Sequence, residues 1–200
     1  MNLDTRDALR ALYPPAKERS VLKQLDALDA HCTRFIALSP FVVLASTGAS
    51  GAMDASPRGG EPGFVQVPDA QTLWIPDAVG NNRLDTLENI VETGRLGLLF
   101  MVPGVDETLR VNGVARLSAD PAVLARFGGS RAPRLAIVVT VREAYLHCAK
   151  ALMRSKLWSP ERQVQRSALP TMGEMLKAQI GDPAPAETQA QMLARYAPDL

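Results

Sequence analysis

Three stretches of the sequence combine cationic side chains with residues that leave backbone amides accessible, so each could bind an anion. The first is Ser56-Pro57-Arg58, which two glycines follow. Glycine lets a ligand approach the backbone closely, and proline occurs in strands only at an edge or a break in the ladder. This stretch therefore indicates either a ligand contact beside Arg58 at the end of a strand, or an ordinary turn leaving a hairpin.

The second stretch, Gly-Asn-Asn-Arg at residues 80–83, leads into a predicted helix that starts near Leu84. Helix N-termini carry unpaired N–H groups and partial positive charge, so they bind phosphate well. Arg83 adds a full charge in a planar fork that suits phosphate oxygens. Asn82 could instead be the N-cap, with Asp85 completing a capping box, and both roles are compatible because a cap leaves other amides free.

The third stretch is a basic segment that begins near Lys150 and is predicted to be helical. Lys150 and Arg154 are four residues apart, so they share a helix face and repel each other by a few tenths of a kcal/mol. An anionic ligand would relieve that repulsion. A solvated basic face is the alternative interpretation and is the more common case for such a pair.

Helical periodicity predicts the elements at the two ends of the chain. Residues 1–38 read as helical, with an interruption at Pro14-Pro15. A short helix is predicted from near Leu84, and another after Asp120-Pro121, where Asp is the expected N-cap and Pro the first helical residue. The chain is predicted to be helical again beyond Lys150.

Between these helices the pattern changes to that of β-strands separated by turn residues. The six predicted strands cover residues 41–47, 53–58, 72–75, 96–102, 108–117 and 135–147. Hairpin-linked strands in this number favour an antiparallel barrel over a doubly wound parallel sheet. We predict a single domain over residues 1–200, with N-terminal helices over about 1–38 and a C-terminal helical extension over about 150–200.

Composition limits the class of protein and its location. The 200 residues are 46% hydrophobic and 22% charged, which is ordinary for a globular protein, and the formal net charge is +1. Such a charge gives no argument for nucleic-acid or membrane partners. The N-terminus lacks the apolar region of a signal peptide, and no apolar run approaches the ~20 residues needed to span a bilayer. We therefore expect a cytoplasmic protein.

Four motifs in order resemble a bacterial subgroup of the pyridoxamine 5′-phosphate oxidase-like flavoproteins. They are Ser-Pro-Arg-Gly-Gly from residue 56, Gly-Asn-Asn-Arg-Leu-Asp-x-Leu-x-Asn-Ile from residue 80, Gly-Val-Asp-Glu-Thr-Leu-Arg-Val-Asn-Gly from residue 104 and His-Cys-x-Lys-Ala from residue 147. No single motif is specific, but their combination is. The resemblance runs from about Asp29 to Trp158, which is most of the chain.

The resemblance implies a mainly β fold with flanking helices, a six-stranded antiparallel split β-barrel. It also implies a homodimer, with one FMN in each of two grooves between the subunits. The implied FMN-binding residues lie at the end of the second strand and after the third and last strands: Ser56, Pro57, Arg58, Asn81, Asn82, Arg83, Lys150, Arg154 and Ser155. Among them, Ser56, Arg58 and the residues at 81–83 match the family's phosphate-binding positions. The last three would lie near the flavin or its phosphate.

The chain departs from true pyridoxamine phosphate oxidases at two motifs. Their Ser-Arg-Lys phosphate motif is Asn-Asn-Arg here, and their Arg-x-His substrate motif near the C-terminus is absent. These departures argue against vitamin B6 oxidation but not against FMN. The expected function is an FMN-dependent oxidoreductase acting on an unidentified small molecule. The alternatives are a flavin carrier or sensor without turnover and a haem-related split-barrel protein.

The flavin carries its own redox chemistry, so the protein needs only to bind, orient and tune it. A cation near the pyrimidine end of the ring would favour the reduced, anionic flavin, a role open to Arg58, Lys150 or Arg154. The sequence offers no catalytic base, so the catalytic residues are unknown. A metal site is not expected, because the ligand pairs His31-Cys32 and His147-Cys148 are adjacent residues without the usual separation between zinc ligands.

Overall fold

The computed structural model describes residues 2–78, 80–128 and 132–199. The chain divides into two compact units, Met1–Ser155 and Lys156–Leu200. The sheet lies in the first unit, and the second unit contains helices and short 3-10 turns. The prediction of one domain over the whole chain stays a prediction.

An antiparallel sheet forms the body of the first unit. Its strands are β1 (Phe41–Thr47), β2 (Met53–Gly59), β3 (Gln66–Asp69), β4 (Thr72–Pro76), β5 (Arg95–Met101), β6 (Thr108–Ser118) and β7 (Ala136–His147). The helices of this unit are α1 (Arg6–Arg10), α2 (Glu18–Leu22), α3 (Ala30–Leu38), α4 (Asp85–Thr93), α5 (Pro121–Leu124) and α6 (Lys150–Ser155). The strand order is β2-β1-β5-β6-β7-β4-β3. A mainly β, antiparallel architecture with flanking helices is therefore confirmed.

The described sheet has seven strands, so the predicted number of six was wrong. The six predicted strands are all present, and the additional one is β3, which is four residues long and contains Pro68. Its pairing with β4 is irregular, with Gln66 opposite Trp74 and Asp69 opposite Thr72. Proline cannot donate to the ladder and is tolerated here because β3 is an edge strand. A four-residue strand that contains proline resembles a loop in sequence, which is why the sequence pattern did not predict β3.

The inner face of the sheet forms the apolar core. Residues opposite each other in antiparallel pairs lie on the same face, so the register defines rows that cross the sheet. One row consists of Leu44, Leu98, Val111 and Ala144 on four successive strands. All four side chains are almost completely buried.

Two helices contribute to the same core. α3 begins after Asp29, whose carboxylate accepts a hydrogen bond from the Cys32 N–H at 2.7 Å. This helix buries Cys32 and Ile36. α4 packs mainly across β1 and β6 and buries Leu87 and Ile90. The position of α4 matters for function because its N-terminal loop carries the second predicted ligand-binding stretch.

The N-terminal segment is less helical than predicted. α1 and α2 have only five residues each, and Leu9 and Leu22 on them are exposed. After α2 the chain extends along β7, where Leu25 and Ala144 exchange two backbone hydrogen bonds of 2.9 Å. Over residues 141–147, β7 extends beyond its pairing with β4. The backbone groups on that edge of β7 can therefore pair with the segment after α2 instead. Backbone hydrogen bonds to a distant strand thus override the local helical pattern.

The second unit contains α7 (Met172–Ile180) and α8 (Gln189–Tyr196), which confirms the predicted C-terminal helices. Each begins with a capping box, formed by Thr171 with Glu174 and by Thr188 with Gln191. Capping boxes satisfy helix N–H groups that have no partner within the helix. No helix in the described ranges is long and apolar enough to cross a membrane.

Candidate functional site

The edge strand β2 breaks the apolar pattern of the inner face. Ser56 lies opposite Leu44 of β1, and Asp54 and Arg58 share the face of Ser56. These three polar side chains are half-buried. Pro57 faces the other side, and β2 is an edge strand, which confirms the prediction that Pro57 marks an edge or a break in the ladder.

The Asp54 carboxylate is the centre of a hydrogen-bond cluster between β1, β2 and α4. Ser56 Oγ lies 3.1 Å from Asp54 Oδ1 and 3.0 Å from Oδ2. Thr86 Oγ1 on α4 donates to Oδ2 at 2.5 Å, and Ser46 Oγ lies 3.5 Å from the same oxygen. Asn89 Nδ2 in turn donates to Ser46 Oγ at 2.9 Å. The cluster holds α4 against the edge strand.

Arg58 connects β2 electrostatically with the end of β4. Its Nη1 donates to the carbonyl of Pro57 at 2.9 Å. Burial raises the pKa of Asp77, the residue after β4, and the positive charges of Arg58 and Arg134 partly offset that rise. β2 and β4 are separated by four strands in the sheet order. An interaction between Arg58 and Asp77 therefore requires the sheet to curl.

The loop before α4 carries the second predicted group. Asn82 and Leu84 have φ values of 58° and 61°, in the left-handed region. This conformation costs a non-glycine residue on the order of 1 kcal/mol and recurs at functional sites. Asn81 Oδ1 accepts a hydrogen bond from the Arg83 N–H at 3.1 Å. The alternative role of Asn82 as N-cap does not hold, because α4 begins at Asp85 and its N-cap position is Leu84.

A cavity of about 240 Å³ lies between the start of β2 and the loop before α4, and its described lining includes Arg83 but neither Ser56 nor Arg58. Arg83 and Asp85 line it from the loop and α4, and Asp54 lines it from the β2 side. Arg83 Nε is 2.8 Å from Asp85 Oδ2, and the Arg83 side chain is 73% exposed. The hydrogen bond and the charge of Asp85 raise the pKa of Arg83. Glu88 also lines the cavity, so carboxylates outnumber guanidinium groups there.

The third predicted group lies on α6 and contributes no residue to the described lining of that cavity. Lys150, Arg154 and Ser155 are exposed, and the described contacts of Arg154 and Ser155 are to backbone carbonyls of their own helix. α6 follows His147, which lies at the same end of the sheet as Arg58, with β1, β5 and β6 in between. Among the described contacts, the structure therefore brings Arg83 to the start of β2 and does not join the three predicted groups in one cavity.

A second polar cluster, which the sequence did not predict, lies on the outer face of β6 and β7. Arg110 Nη2 is 2.6 Å from Glu143 Oε1, and the guanidinium stacks 4.4 Å from the centre of the Tyr145 ring. Lys23 Nζ lies 5.0 Å from that ring, and His147 packs beside it. Burial and the charges of Arg110 and Lys23 lower the pKa of His147. The sequence did contain a signal for this cluster. Glu143, Tyr145 and His147 alternate along one predicted strand, and alternate residues of a strand share a face.

The two cysteines have different environments. Cys32 is buried, and desolvation raises its pKa to about 11, so its thiol stays protonated at neutral pH. Cys148 is exposed. Within the described residues, no group of three or more His, Cys, Asp or Glu side chains is arranged to hold a metal ion.

Residues 28–148 match the family model described as Pyridoxamine 5′-phosphate oxidase, which is more than half of the chain. The chain belongs to the pyridoxamine 5′-phosphate oxidase family. The range matched to this family contains all seven described strands, α3 and α4, and the first two predicted groups. Lys150, Arg154 and Ser155 lie outside it. No curated protein matches the chain in sequence.

The chain is similar to two solved structures at low sequence identity. HupZ of Group A Streptococcus is 15% identical, with a TM-score of 0.50 over 60% of this chain and 93% of that chain. A candidate pyridoxamine 5′-phosphate oxidase of Lactobacillus delbrueckii is 19% identical, with a TM-score of 0.48 over 62% of this chain and 98% of that chain. At 15% identity, the likeness to HupZ shows the fold alone.

Proposed function

We propose that this protein binds FMN and acts as an FMN-dependent oxidoreductase on a small molecule. The observation that carries the proposal is the polar edge of the inner face. There, Ser56 and Arg58 lie on β2, and Asp54 of the same strand lines a cavity together with Arg83 of the neighbouring loop. Membership of the pyridoxamine 5′-phosphate oxidase family makes a flavin the expected ligand of such an edge.

The phosphate of FMN is assigned to the loop and to the end of β2. Arg83 supplies a guanidinium, Asn81 and Asn82 supply amides in a loop with left-handed backbone, and Arg58 supplies a second guanidinium. Asp85 competes with a phosphate for Arg83, but an exposed ion pair of this kind is weak. A guanidinium also has five N–H donors, of which the Asp85 contact uses one. A phosphate that displaces or shares Asp85 would have to lie on the loop side of Arg83, because Asp54 and Glu88 line the cavity side and would repel it.

The proposed architecture is a split barrel. Curling of the sheet, which the electrostatic link between Arg58 and Asp77 requires, supports this architecture. Curling would turn the polar edge of β2 toward the end of β4 and the loop that follows it. The cytoplasmic location predicted from the sequence belongs to the same proposal.

FMN, when bound, accepts and donates hydride equivalents, so the protein need not supply the redox group. The side chains of the chain bind the phosphate, orient the ring and set the electrostatic environment. Lys150 and Arg154 are proposed to lie near the pyrimidine end of the ring. Positive charge there stabilises negative charge on the reduced ring.

The proposal is tested by the absorption spectrum of the purified protein and by titration of the apoprotein with FMN, riboflavin and FAD. A terminal phosphate site predicts tight FMN binding and much weaker binding of riboflavin, which lacks the phosphate. Equal affinity for the three flavins would contradict the phosphate site. Absence of binding to any of them would contradict the proposal as a whole.

Turnover distinguishes the oxidoreductase from a flavin carrier. We expect that reduced nicotinamide nucleotides or other small-molecule donors reduce the bound flavin in repeated cycles with an electron acceptor. Stopped-flow absorbance at the oxidised flavin band measures this reduction. A protein that binds FMN but is not reduced by any donor in a broad panel would be a carrier or sensor.

We propose a homodimer with FMN in the groove between the subunits. The outer face of the sheet supports it, because Val43 and Leu99 are apolar and only half-buried, and Ala45 and Pro57 are exposed beside them. A second copy would cover this face and the β2 edge in a symmetric contact. Light scattering should give twice the mass of one chain. A monomer with full FMN occupancy would contradict the interface site.

A further inference from the structure

The hydrogen-bond cluster around Asp54 determines what Ser56 can offer to a ligand. Ser56 Oγ is within 3.1 Å of both carboxylate oxygens of Asp54. A serine hydroxyl has one proton and two lone pairs, and an ionised carboxylate can only accept. The one Ser56 proton is therefore donated to Asp54. Toward any third group, Ser56 presents lone pairs and acts as an acceptor.

A phosphate oxygen is a poor partner for such a hydroxyl. Both atoms would present lone pairs, and the Asp54 carboxylate behind Ser56 would add like-charge repulsion. The alternatives in FMN are its hydrogen-bond donors, namely the ribityl hydroxyls and the N–H group of the isoalloxazine ring. Each could donate to Ser56 Oγ without disturbing the Ser56–Asp54 hydrogen bond.

We propose that Ser56 accepts a hydrogen bond from an O–H or N–H donor of the flavin, outside the phosphate, and that Asp54 is the positioning residue that fixes Ser56 in this role. The inference rests on the proposed FMN site and reassigns Ser56 within it. Arg58 and Arg83 keep the phosphate. Ser56 instead selects for the hydroxylated chain or the ring edge.

Thr86 has a different role in the same cluster. Its hydroxyl also donates to Asp54, but Thr86 is buried on α4 and attaches that helix to β2. Thr86→Val is therefore a control for loss of the anchor without loss of the Ser56 acceptor. It should lower the melting temperature and leave riboflavin affinity unchanged, because riboflavin makes no contact with the phosphate loop at the start of α4.

The first test compares Ser56→Ala with the unmodified protein for FMN, riboflavin and lumiflavin, which lacks the ribityl chain. We expect roughly 3- to 10-fold weaker binding of both FMN and riboflavin, the range for one neutral hydrogen bond. Equal loss for lumiflavin assigns the donor to the ring, and retained lumiflavin affinity assigns it to a ribityl hydroxyl. Both patterns support the proposal.

Two results would overturn it. A loss confined to FMN would return Ser56 to the phosphate, and unchanged affinity for all three flavins would leave Ser56 with a structural role only. In either case the unmodified protein still binds FMN, so the proposed function stands. Failure of the unmodified protein to bind any flavin would instead remove the proposed function and this inference together.

The second test addresses Asp54 as a positioning residue. In Asp54→Asn, the single amide oxygen is expected to accept from buried Thr86, so the amide NH₂ faces Ser56 and releases the Ser56 proton toward the ligand. We expect the same fold loss of riboflavin affinity as in Ser56→Ala, and no further loss in the double variant. Additive losses would overturn the positioning role, because Asp54 would then act on the ligand independently of Ser56.

Discussion

The centre and the edge of the inner sheet face differ in chemistry although they share a register. In one row, Leu44, Leu98 and Val111 are almost completely buried, and Ser56 ends the same row on β2. Two residues further along β2, the neighbouring row of the same face ends in Arg58, which lies opposite Val42 of β1. The centre of the face is a core, and its edge is a hydrogen-bonding surface.

This difference indicates what the edge strand is for. A strand that only completed the core would continue the apolar pattern, because burying polar groups costs free energy unless they are hydrogen-bonded. On β2, Asp54 and Ser56 satisfy each other and Arg58 remains near solvent. Local departures from the folding pattern are most often functional. The comparison therefore predicts that substitutions at the centre change stability, and that substitutions at the edge change ligand binding.

The largest expected effect is on the core. Leu98→Ala removes a fully buried side chain, so the free energy of unfolding should fall by about 2–5 kcal/mol. Urea denaturation measures this loss, and the folded fraction should bind FMN with unchanged affinity. Val91→Ala, at an exposed position of α4, is the control and should cost less. Equal losses for both variants would mean that the inner face is not the core.

The next effect is on ligand affinity. Arg83→Ala should weaken FMN binding by roughly 30- to 150-fold, because a charged hydrogen bond to the phosphate is lost. Riboflavin affinity and the melting temperature should change little, since the Arg83 side chain is largely exposed. Arg116→Ala, an exposed arginine on β6, is the control and should alter neither affinity. Unchanged FMN affinity in Arg83→Ala would make Arg83 a surface residue.

A smaller effect on stability is expected at Asp29, a carboxylate with a structural role outside the candidate site. Asp29→Ala should lower stability by about 1 kcal/mol at neutral pH, because Asp29 caps α3. Hydrogen bonding to the Cys32 N–H lowers the pKa of Asp29 from 3.8, so its contribution is present above about pH 4 and is lost as pH falls through the folded-state pKa. Denaturation at pH 7 and at acidic pH should show the difference between variant and parent shrinking. A pH-independent difference, or a change in FMN affinity, would count against this role.

The smallest expected effect concerns α6. If Lys150 and Arg154 lie beside the flavin ring, Lys150→Ala should lower the reduction potential of bound FMN by on the order of 10 mV, where about 30 mV corresponds to 1.4 kcal/mol. Screening of exposed charges keeps the effect small. Redox titration against a reference dye measures it, and FMN affinity should fall only modestly. Lost affinity at constant potential would reassign α6 to the phosphate, and no change in either would leave it a solvated basic face.

Local patterns predicted much of this fold. The signals were strongest where one residue type had a single structural meaning, such as Pro57 at an edge strand. Asp120-Pro121 is a second case: α5 begins at Pro121, and Asp120 accepts a hydrogen bond from the Ala122 N–H at 2.8 Å. Both depend on the chemistry of a few consecutive residues, which the sequence displays directly.

The remaining features depend on contacts between distant residues. The Leu25–Ala144 bridge replaced a predicted helix, and β3 formed despite Pro68, because the partner strands offered backbone hydrogen bonds. The same dependence on contacts between distant residues limited what could be predicted of the site. Ser56 was predicted as a ligand residue from its motif, but its hydrogen bond to Asp54 and the attachment of α4 through Thr86 depend on how β2 and α4 meet.

A crystal structure of the FMN-saturated protein tests the central claim most directly, because it locates the phosphate relative to the polar edge. The predicted result has the phosphate within hydrogen-bond distance of Arg83 and the loop at residues 81–82. Ser56 Oγ would then face a flavin O–H or N–H donor. FMN bound with its phosphate against α6, or on another face of the sheet, would contradict the assignment of the polar edge as the flavin site.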